Sequence, residues 1–154
     1  MNQRNPSKSS GQSLRILVFG TFDGLHEGHK DLFRQALNIV KGGQAYLIVV
    51  VGRDSSVKKN KNKSPKFNEE ERLKMVQEYK LVDEALLGRE EHDPHKDRYE
   101  LIQEIKPDVI CLGYDQAQFA DKLEKELKEM NLKAQVKILK PYKAETYKSS
   151  LLNK

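Results

Sequence analysis

Residues 20–30, GTFDGLHEGHK, are the part of this chain best suited to chemistry. Two histidines, His26 and His29, lie three positions apart with Gly28 between them. The segment precedes a stretch with helical spacing, and the N-terminus of a helix favours anions because of its unpaired amides and its dipole. We therefore predict that both imidazoles point at one anion and donate hydrogen bonds to phosphoryl oxygens.

The glycines of this segment allow tight turns, but their spacing matches neither of two common phosphate-binding patterns. Gly20, Gly24 and Gly28 recur at every fourth position, whereas a P-loop requires GxxxxGK[ST] and a dinucleotide-binding turn requires GxGxxG. The spacing disfavours both of those families.

Short apolar runs alternate with helical stretches along the chain. They predict the strands and helices that position residues 20–30. The predicted strands are residues 15–20, 45–51, 82–87, 108–112 and 133–139, the last half-exposed; the predicted helices are residues 32–40, 69–79, 98–105 and 119–131. Asn68 and Glu71 predict a capping box, and Gly42 and Gly43 follow the first helix. Such alternation implies a doubly wound, Rossmann-like α/β fold, a parallel five-stranded sheet with helices on both faces, with ligands at the carboxyl ends of the strands.

Length and composition predict one domain. A chain of 154 residues with 37% apolar content supports a single core at residues 15–154, after a polar tail at residues 1–14 that we expect to be disordered. The longest apolar run has seven residues, whereas a membrane-spanning helix needs roughly 20, so no membrane span is expected. The single cysteine, Cys111, has no partner for an intrachain disulfide, which favours a cytoplasmic setting.

The net charge of +5 raises the question of a nucleic-acid partner. Five lysines fall within residues 58–66, with no aromatic residues between them to stack on bases. We therefore expect no nucleic-acid partner and a local phosphate site instead.

The motif GTFD followed by HxGH, at residues 20–23 and 26–29, resembles the cytidylyltransferase-like nucleotidyltransferases. The resemblance implies the doubly wound fold and assigns both histidines to the triphosphate as catalytic groups. It also implies nucleotide binding by Gly20, Thr21 and Phe22, and acceptor or phosphate binding by Asp23. Glu27 stands where proline or a neutral residue is common in that family.

The same resemblance implies further site residues along the chain. Lys61, in the loop after the second strand, best matches a catalytic lysine, with Lys58 the second choice for binding the acceptor phosphate; Arg72 matches a phosphate-binding arginine; and Asp115, Lys148, Ser149 and Ser150 match nucleotide-binding positions.

Three segments bring the chain closest to the archaeal-type FAD synthases. They are GRDSSVKK, KPDVICLGYDQ and YKSS. This likeness implies transfer of AMP from ATP to FMN, and a homodimer by analogy. The sequence shows no carboxylate cage for a metal, so we expect Mg²⁺ to arrive mainly on the nucleotide.

Three alternatives stay open at this point. A CTP-dependent cytidylyltransferase for glycerol 3-phosphate or a similar alcohol phosphate shares GTFD and HxGH but ends in RTEGIST, where this chain has KAETYKSS. The chain can also be a non-catalytic nucleotide or flavin sensor, or an RNA-binding protein that uses the lysine loop.

Overall fold

A computed structural model describes residues 13–40, 44–55, 65–89 and 94–141, apart from the side chains of residues 94–97 and 115. In chain order the elements are β1 (Ser13–Gly20), α1 (Glu27–Asn38), β2 (Gln44–Val51), α2 (Glu69–Glu78), β3 (Glu84–Leu87), α3 (Pro94–Ile105), β4 (Val109–Leu112), a 3-10 helix (Tyr114–Phe119), α4 (Ala120–Glu129) and β5 (Gln135–Ile138).

The five strands form one sheet in the order β3-β2-β1-β4-β5, and every neighbouring pair is parallel. The predicted doubly wound sheet is confirmed. The strand order reverses between β1 and β4, which is where open α/β sheets bind their ligands.

Helices cover both faces of the sheet because the strands are apolar on both sides. Ile16 and Val18 of β1 face one core with Phe33 of α1 and Val76 of α2. Leu17, between them, faces a second core. Its other members include Ile102 of α3 and Leu123 and Leu127 of α4.

Several element ends differ from the prediction. The strand β1 begins at Ser13, whose backbone pairs with Gln44, so residues 13 and 14 belong to the sheet and not to the tail. The helix α3 begins earlier than predicted, at Pro94, a position where proline loses no helical hydrogen bond. Residues 1–12 and the pair Gly42 and Gly43 lie outside the described part of the chain.

The capping box of α2 is confirmed. The amide of Glu71 donates to Oδ1 of Asn68 over 2.8 Å, and the amide of Asn68 donates to Oε1 of Glu71 over 3.0 Å. Of the helices that the structure describes, none has the length and apolar character needed to cross a bilayer.

Candidate active site

The loop from β1 to α1 makes two turns in left-handed backbone conformations. Phe22 has φ +53° and Gly24 has φ +95°, and the amide of Gly24 donates to the carbonyl of Phe22 over 2.9 Å. Glycine adopts this conformation readily, whereas phenylalanine does so at a cost. Burial of the Phe22 ring, which is 3% exposed, offsets that cost.

The side chains of the two histidines cap the N-terminus of α1. Nδ1 of His26 accepts a hydrogen bond from the amide of Gly28 over 3.0 Å, and Nδ1 of His29 accepts one from the amide of His26 over 3.3 Å. The imidazoles form a capping box, and their rings stack with centroids 3.8 Å apart and an interplanar angle of 20°.

This arrangement selects the tautomer of both rings. A neutral imidazole that accepts at Nδ1 carries its proton on Nε2, so Nε2 is the donor nitrogen in His26 and in His29. Because Nδ1 faces the backbone in both rings, the donors lie at the ring ends remote from it. The structure thus brings two N–H donors together at a helix N-terminus, where the dipole also attracts anions.

A column of rings supports the histidine pair from the core. Phe22 contacts His29 edge-on with centroids 5.2 Å apart, Phe33 lies 5.5 Å from Phe22, and Tyr79 lies 5.8 Å from Phe33. A Cβ on Gly20 would come within 2.6 Å of the Phe22 ring, so the glycine makes room for that ring.

The side chain of Phe22 lies in the core rather than at an open surface. We expected Phe22 to bind the nucleotide, but its side chain packs beneath His29 and has almost no exposed surface. The edge-on contact of this ring helps to hold the imidazole of His29 in place.

The carboxylate of Asp23 attaches this loop to the chain before α2. Its two oxygens accept hydrogen bonds from the amides of Lys66 (2.6 Å) and Phe67 (2.8 Å). Burial raises the pKa of Asp23, whereas the two amide hydrogen bonds and the positive charge of Arg72 lower it, and the net shift is downward from 3.8. Asp23 is therefore ionised at neutral pH.

Arg72 of α2 joins the ends of the first two strands. Its guanidinium donates to the carbonyls of Thr21 (2.8 Å), Gly52 (2.7 Å) and Phe67 (2.9 Å), and to Oδ1 of Asp54 (2.7 Å). The side chain is 0% exposed. The direct phosphate contact that we expected from Arg72 does not fit this geometry, because a guanidinium without accessible surface cannot touch a bound ligand.

A second arginine extends the network towards β3. Arg53 donates to the carbonyl of Gly88 (2.7 Å) and to Glu69 (3.1 Å), and Glu69 also accepts from the amide of Asp54 (2.8 Å). Sequence reasoning did not include Arg53, Asp54 and Glu69 in the site. The available signal was the pairing of Arg53 and Asp54 at the end of a strand with acidic residues at the next helix start.

Comparison with known proteins decides the family. The family model described as cytidylyltransferase-like matches residues 17–154. The chain belongs to the cytidylyltransferase-like family. Family membership and fold, both predicted from the sequence, are thereby confirmed.

Curated proteins that are named FAD synthase resemble the chain over most of its length. The protein from Methanosarcina barkeri is 45% identical over 122 residues, which cover 79% of this chain and 80% of that protein. The protein from Thermoplasma acidophilum is 36% identical over 141 residues, which cover 92% of each.

Two solved structures share the fold. A lipopolysaccharide core biosynthesis protein from Thermoplasma volcanium superposes with a TM-score of 0.73 at 33% identity, covering 84% of this chain and 98% of that one. A pantoate-beta-alanine ligase from Francisella tularensis superposes with a TM-score of 0.55 at 13% identity, covering 87% and 61%. The second likeness concerns the fold alone.

The unusual residue of the HxGH motif, Glu27, has a basic neighbour. Glu27 is exposed, and its Oε2 lies 3.4 Å from Nζ of Lys30, one turn further along α1. The additional carboxylate thus has a cation beside it at the helix N-terminus.

Several predicted site residues cannot be compared with the geometry. Lys58, Lys61, Lys148, Ser149 and Ser150 lie outside the described residues, as does the side chain of Asp115, whose backbone belongs to the 3-10 helix. Within the described ranges, no group of three or more His, Cys, Asp or Glu side chains can hold a metal ion.

Proposed function

We propose that this protein is an FAD synthase, which transfers the AMP part of ATP to FMN and releases pyrophosphate. The observation that carries the proposal is the stacked pair of His26 and His29, with both Nδ1 atoms bound to the backbone at the N-terminus of α1. The curated relatives, which bear the name FAD synthase, support the choice of ATP and FMN.

The reaction is an in-line displacement. An oxygen of the FMN phosphate attacks the α-phosphorus of ATP and forms the new O–P bond. The bond from that phosphorus to the oxygen bridging to the β-phosphate breaks, and pyrophosphate leaves with its electron pair. A phosphate monoester has a second pKa of about 6, so it is largely ionised at pH 7 and requires no general base.

Catalysis then consists of positioning and charge stabilisation. The Nε2–H groups of His26 and His29 donate to oxygens of the reacting phosphoryl group, whose negative charge grows as the bonds change. The dipole of α1 acts in the same direction. Backbone hydrogen bonds hold both rings in place, and the Phe22 ring supports that of His29.

Lys61, with Lys58 beside it, completes the phosphate site in this proposal. The described residues on either side of their segment support this role: Asp54 is bound to Arg72, and Lys66 is bound to Asp23. The described residues that flank the lysine-rich segment are thus fixed next to the histidine loop, which supports a phosphate-binding role for Lys61 and Lys58.

The remaining predicted residues take supporting roles. We assign Lys148, Ser149 and Ser150 to the β- and γ-phosphates and Asp115 to the nucleoside, as the family resemblance implies. Arg72 and Asp23 act as positioning residues, because their side chains bind protein groups rather than open space.

Magnesium enters this scheme as part of the MgATP substrate. The described residues do not form a cage of oxygen ligands for the ion, so we derive no step from a protein-bound metal. The homodimer and the cytoplasmic setting stay predictions.

The test is a panel of product assays on the full chain. ATP and CTP are each offered with FMN and with glycerol 3-phosphate, while pyrophosphate release is followed and products are separated by chromatography. FAD is expected from ATP and FMN alone. A cytidylylated glycerol product would transfer the activity to the alternative enzyme, and flavin binding without pyrophosphate release would indicate a sensor.

A further inference from the structure

The side-chain amide of Gln35 in α1 binds the main chain of Lys140, just after the strand β5. Its Nε2 donates to the carbonyl of Lys140 over 2.8 Å, and its Oε1 accepts from the amide of the same residue over 2.9 Å. Two residues that face each other in an antiparallel ladder exchange hydrogen bonds in the same way. Gln35 therefore fixes both the position and the orientation of the chain where it leaves β5.

A second residue of α1 fixes the amide of Gln35. Oδ2 of Asp31, one turn earlier in the helix, accepts a hydrogen bond from Nε2 over 2.7 Å. An ionised carboxylate only accepts hydrogen bonds, so it selects the nitrogen end of the amide. The nitrogen and the oxygen of Gln35 are thus held in the one orientation that matches the main chain of Lys140.

The chain after β5 lies on the face of the sheet that carries the histidine pair. The amide of Leu139 donates to the carbonyl of Leu112 in β4 over 2.7 Å, which keeps this residue at the sheet. The side chain of Leu139 is 6% exposed and belongs to the same core as Phe22. The next residue, Lys140, lies against α1 at Gln35. The rest of the chain therefore starts beside the helix whose N-terminus holds the histidines.

This attachment lies shortly before the residues that we assign to the β- and γ-phosphates of ATP. Lys148, Ser149 and Ser150 follow it by eight to ten positions. Gln35 lies six residues after His29, which corresponds to about 9 Å along the axis of α1. An extended chain spans about 26 Å in eight residues, so the connection is long enough to return to the helix N-terminus. A fixed starting point lowers the entropy cost of bringing the serines to the nucleotide.

We propose that Gln35 is a positioning residue of the nucleotide site, which directs the segment with Ser149 and Ser150 to the β- and γ-phosphates of ATP. Its amide binds protein groups at both ends, so Gln35 acts through the chain after Lys140 and not by touching the substrate. This inference rests on the proposed function, and it adds a residue that lies outside the GTFD and HxGH motifs.

The experiment removes the attachment and compares the result with a matched glutamine. Gln35→Leu keeps a side chain of similar size and helix propensity, but leucine cannot bind the main chain of Lys140. Gln77→Leu is the control, because Gln77 of α2 also donates to a strand carbonyl, that of Ala85, over 3.4 Å. Ala85 belongs to β3, at the edge of the sheet opposite to β5. Unfolding midpoints verify that both variants fold.

Four constants are measured: KM for ATP, KM for FMN, and the inhibition constants of pyrophosphate and AMP. Gln35→Leu is expected to raise the KM for ATP and the inhibition constant of pyrophosphate about five- to tenfold, the effect of one net hydrogen bond. The constants for FMN and AMP should stay close to wild type, because neither ligand carries a β- or γ-phosphate. Gln77→Leu should change none of the four. Equal increases in all four constants, or an unchanged KM for ATP, overturn the inference.

A double-mutant cycle tests whether Gln35 acts through the segment that follows Lys140. Gln35→Leu is combined with a variant that carries both Ser149→Ala and Ser150→Ala. In that background, Gln35→Leu should raise the KM for ATP less than it does in wild type, because the hydroxyl groups that it positions are absent. Equal effects in the two backgrounds overturn the inference.

Titration with MgATP separates this inference from the proposed function. If the wild-type protein binds MgATP but forms no FAD, and only Gln35→Leu weakens that binding, the proposed function fails and the positioning role holds. If the wild-type protein forms FAD and Gln35→Leu binds MgATP as tightly, the inference fails and the proposed function stands. A wild-type protein that neither binds MgATP nor forms FAD overturns both.

Discussion

The two faces of the sheet differ at its carboxyl edge. On the face covered by α1 and α2, hydrogen bonds join the histidine loop, the ends of β1 and β2 and the start of α2, and a column of rings supports His29 from below. On the face covered by α3 and α4, aromatic and cationic side chains line an open groove.

This difference corresponds to two physical requirements. Groups that stabilise developing charge work best when they are held in place before the substrate arrives, because no energy is then spent on reorganisation. A surface that recognises a large ring gains its energy from covering apolar area, so it has to be open in the absence of ligand. The first face holds its polar groups by hydrogen bonds, and the second leaves aromatic surface uncovered.

The largest expected effect follows from removing an Nε2–H donor while keeping the N-cap of α1. Asparagine is a good N-cap residue, so His26→Asn should preserve α1 while it removes the Nε2–H donor. We expect kcat to fall about 100-fold, as for the loss of one preorganised donor. His29→Ala should lower kcat by about the same factor.

Steady-state FAD formation measures the effect of both substitutions, and thermal unfolding controls for folding. Wild-type kcat in both variants would contradict the assignment of the histidines.

The second prediction concerns the buried arginine of the rigid face. Arg72→Met leaves the carboxylate of Asp54 and three carbonyl groups without their donor, so the free energy of unfolding should fall by about 3 kcal/mol. Urea unfolding measures it, with Arg34→Met, an exposed arginine of α1, as the control. Equal stability of the two variants would mean that Arg72 does not hold the strand ends together.

The third prediction uses two glycines to test the ring column. A methyl group at Gly20 would lie 2.6 Å from the Phe22 ring, whereas one at Gly88 would meet its nearest atom at 3.6 Å. Gly20→Ala should therefore destabilise the protein by about 1 to 3 kcal/mol through overpacking. It should also lower kcat, because a displaced Phe22 moves His29. Gly88→Ala should change neither quantity, and an equal loss in both variants would argue against the column.

The smallest expected effect concerns the pH dependence of the Asp23 attachment. The pKa of Asp23 lies below 3.8 in the folded protein, so the ionised carboxylate stabilises the fold fully above 3.8, and this stabilisation is lost as pH falls through the folded pKa. The excess unfolding free energy of wild type over Asp23→Asn should therefore shrink in acid. Urea unfolding from about pH 3 to 7 measures it, and an excess that grows in acid would contradict the attachment.

Local patterns in the sequence were sufficient for much of the fold. Each of the five strands was predictable from an apolar or alternating run, and the capping box of Asn68 and Glu71 from their spacing. These features depend on neighbouring residues and backbone geometry alone. The histidine pair was also a local signal, since three positions at a helix start suffice to bring two side chains together.

Local patterns in the sequence did not predict which of these side chains are buried. Arg72 is an arginine in a helix rich in acidic residues, which predicts exposure, yet it is 0% exposed. Three acceptors just beyond the ends of β1 and β2, and the carbonyl of Phe67 before α2, receive its hydrogen bonds. Phe22 stands within the GTFD motif but packs inward, because the absence of a side chain at Gly20 leaves room for its ring.

The sequence by itself thus determined the succession of strands and helices along the chain, the family and the pair of histidines. Each of these depends on residues that are neighbours in the sequence. Only the tertiary structure decided which side chains stand beneath those histidines and which residues line the groove on the opposite face. Phe19, Arg98 and Phe119 are distant in the sequence and meet because parallel strands with crossover connections bring their carboxyl ends to one edge.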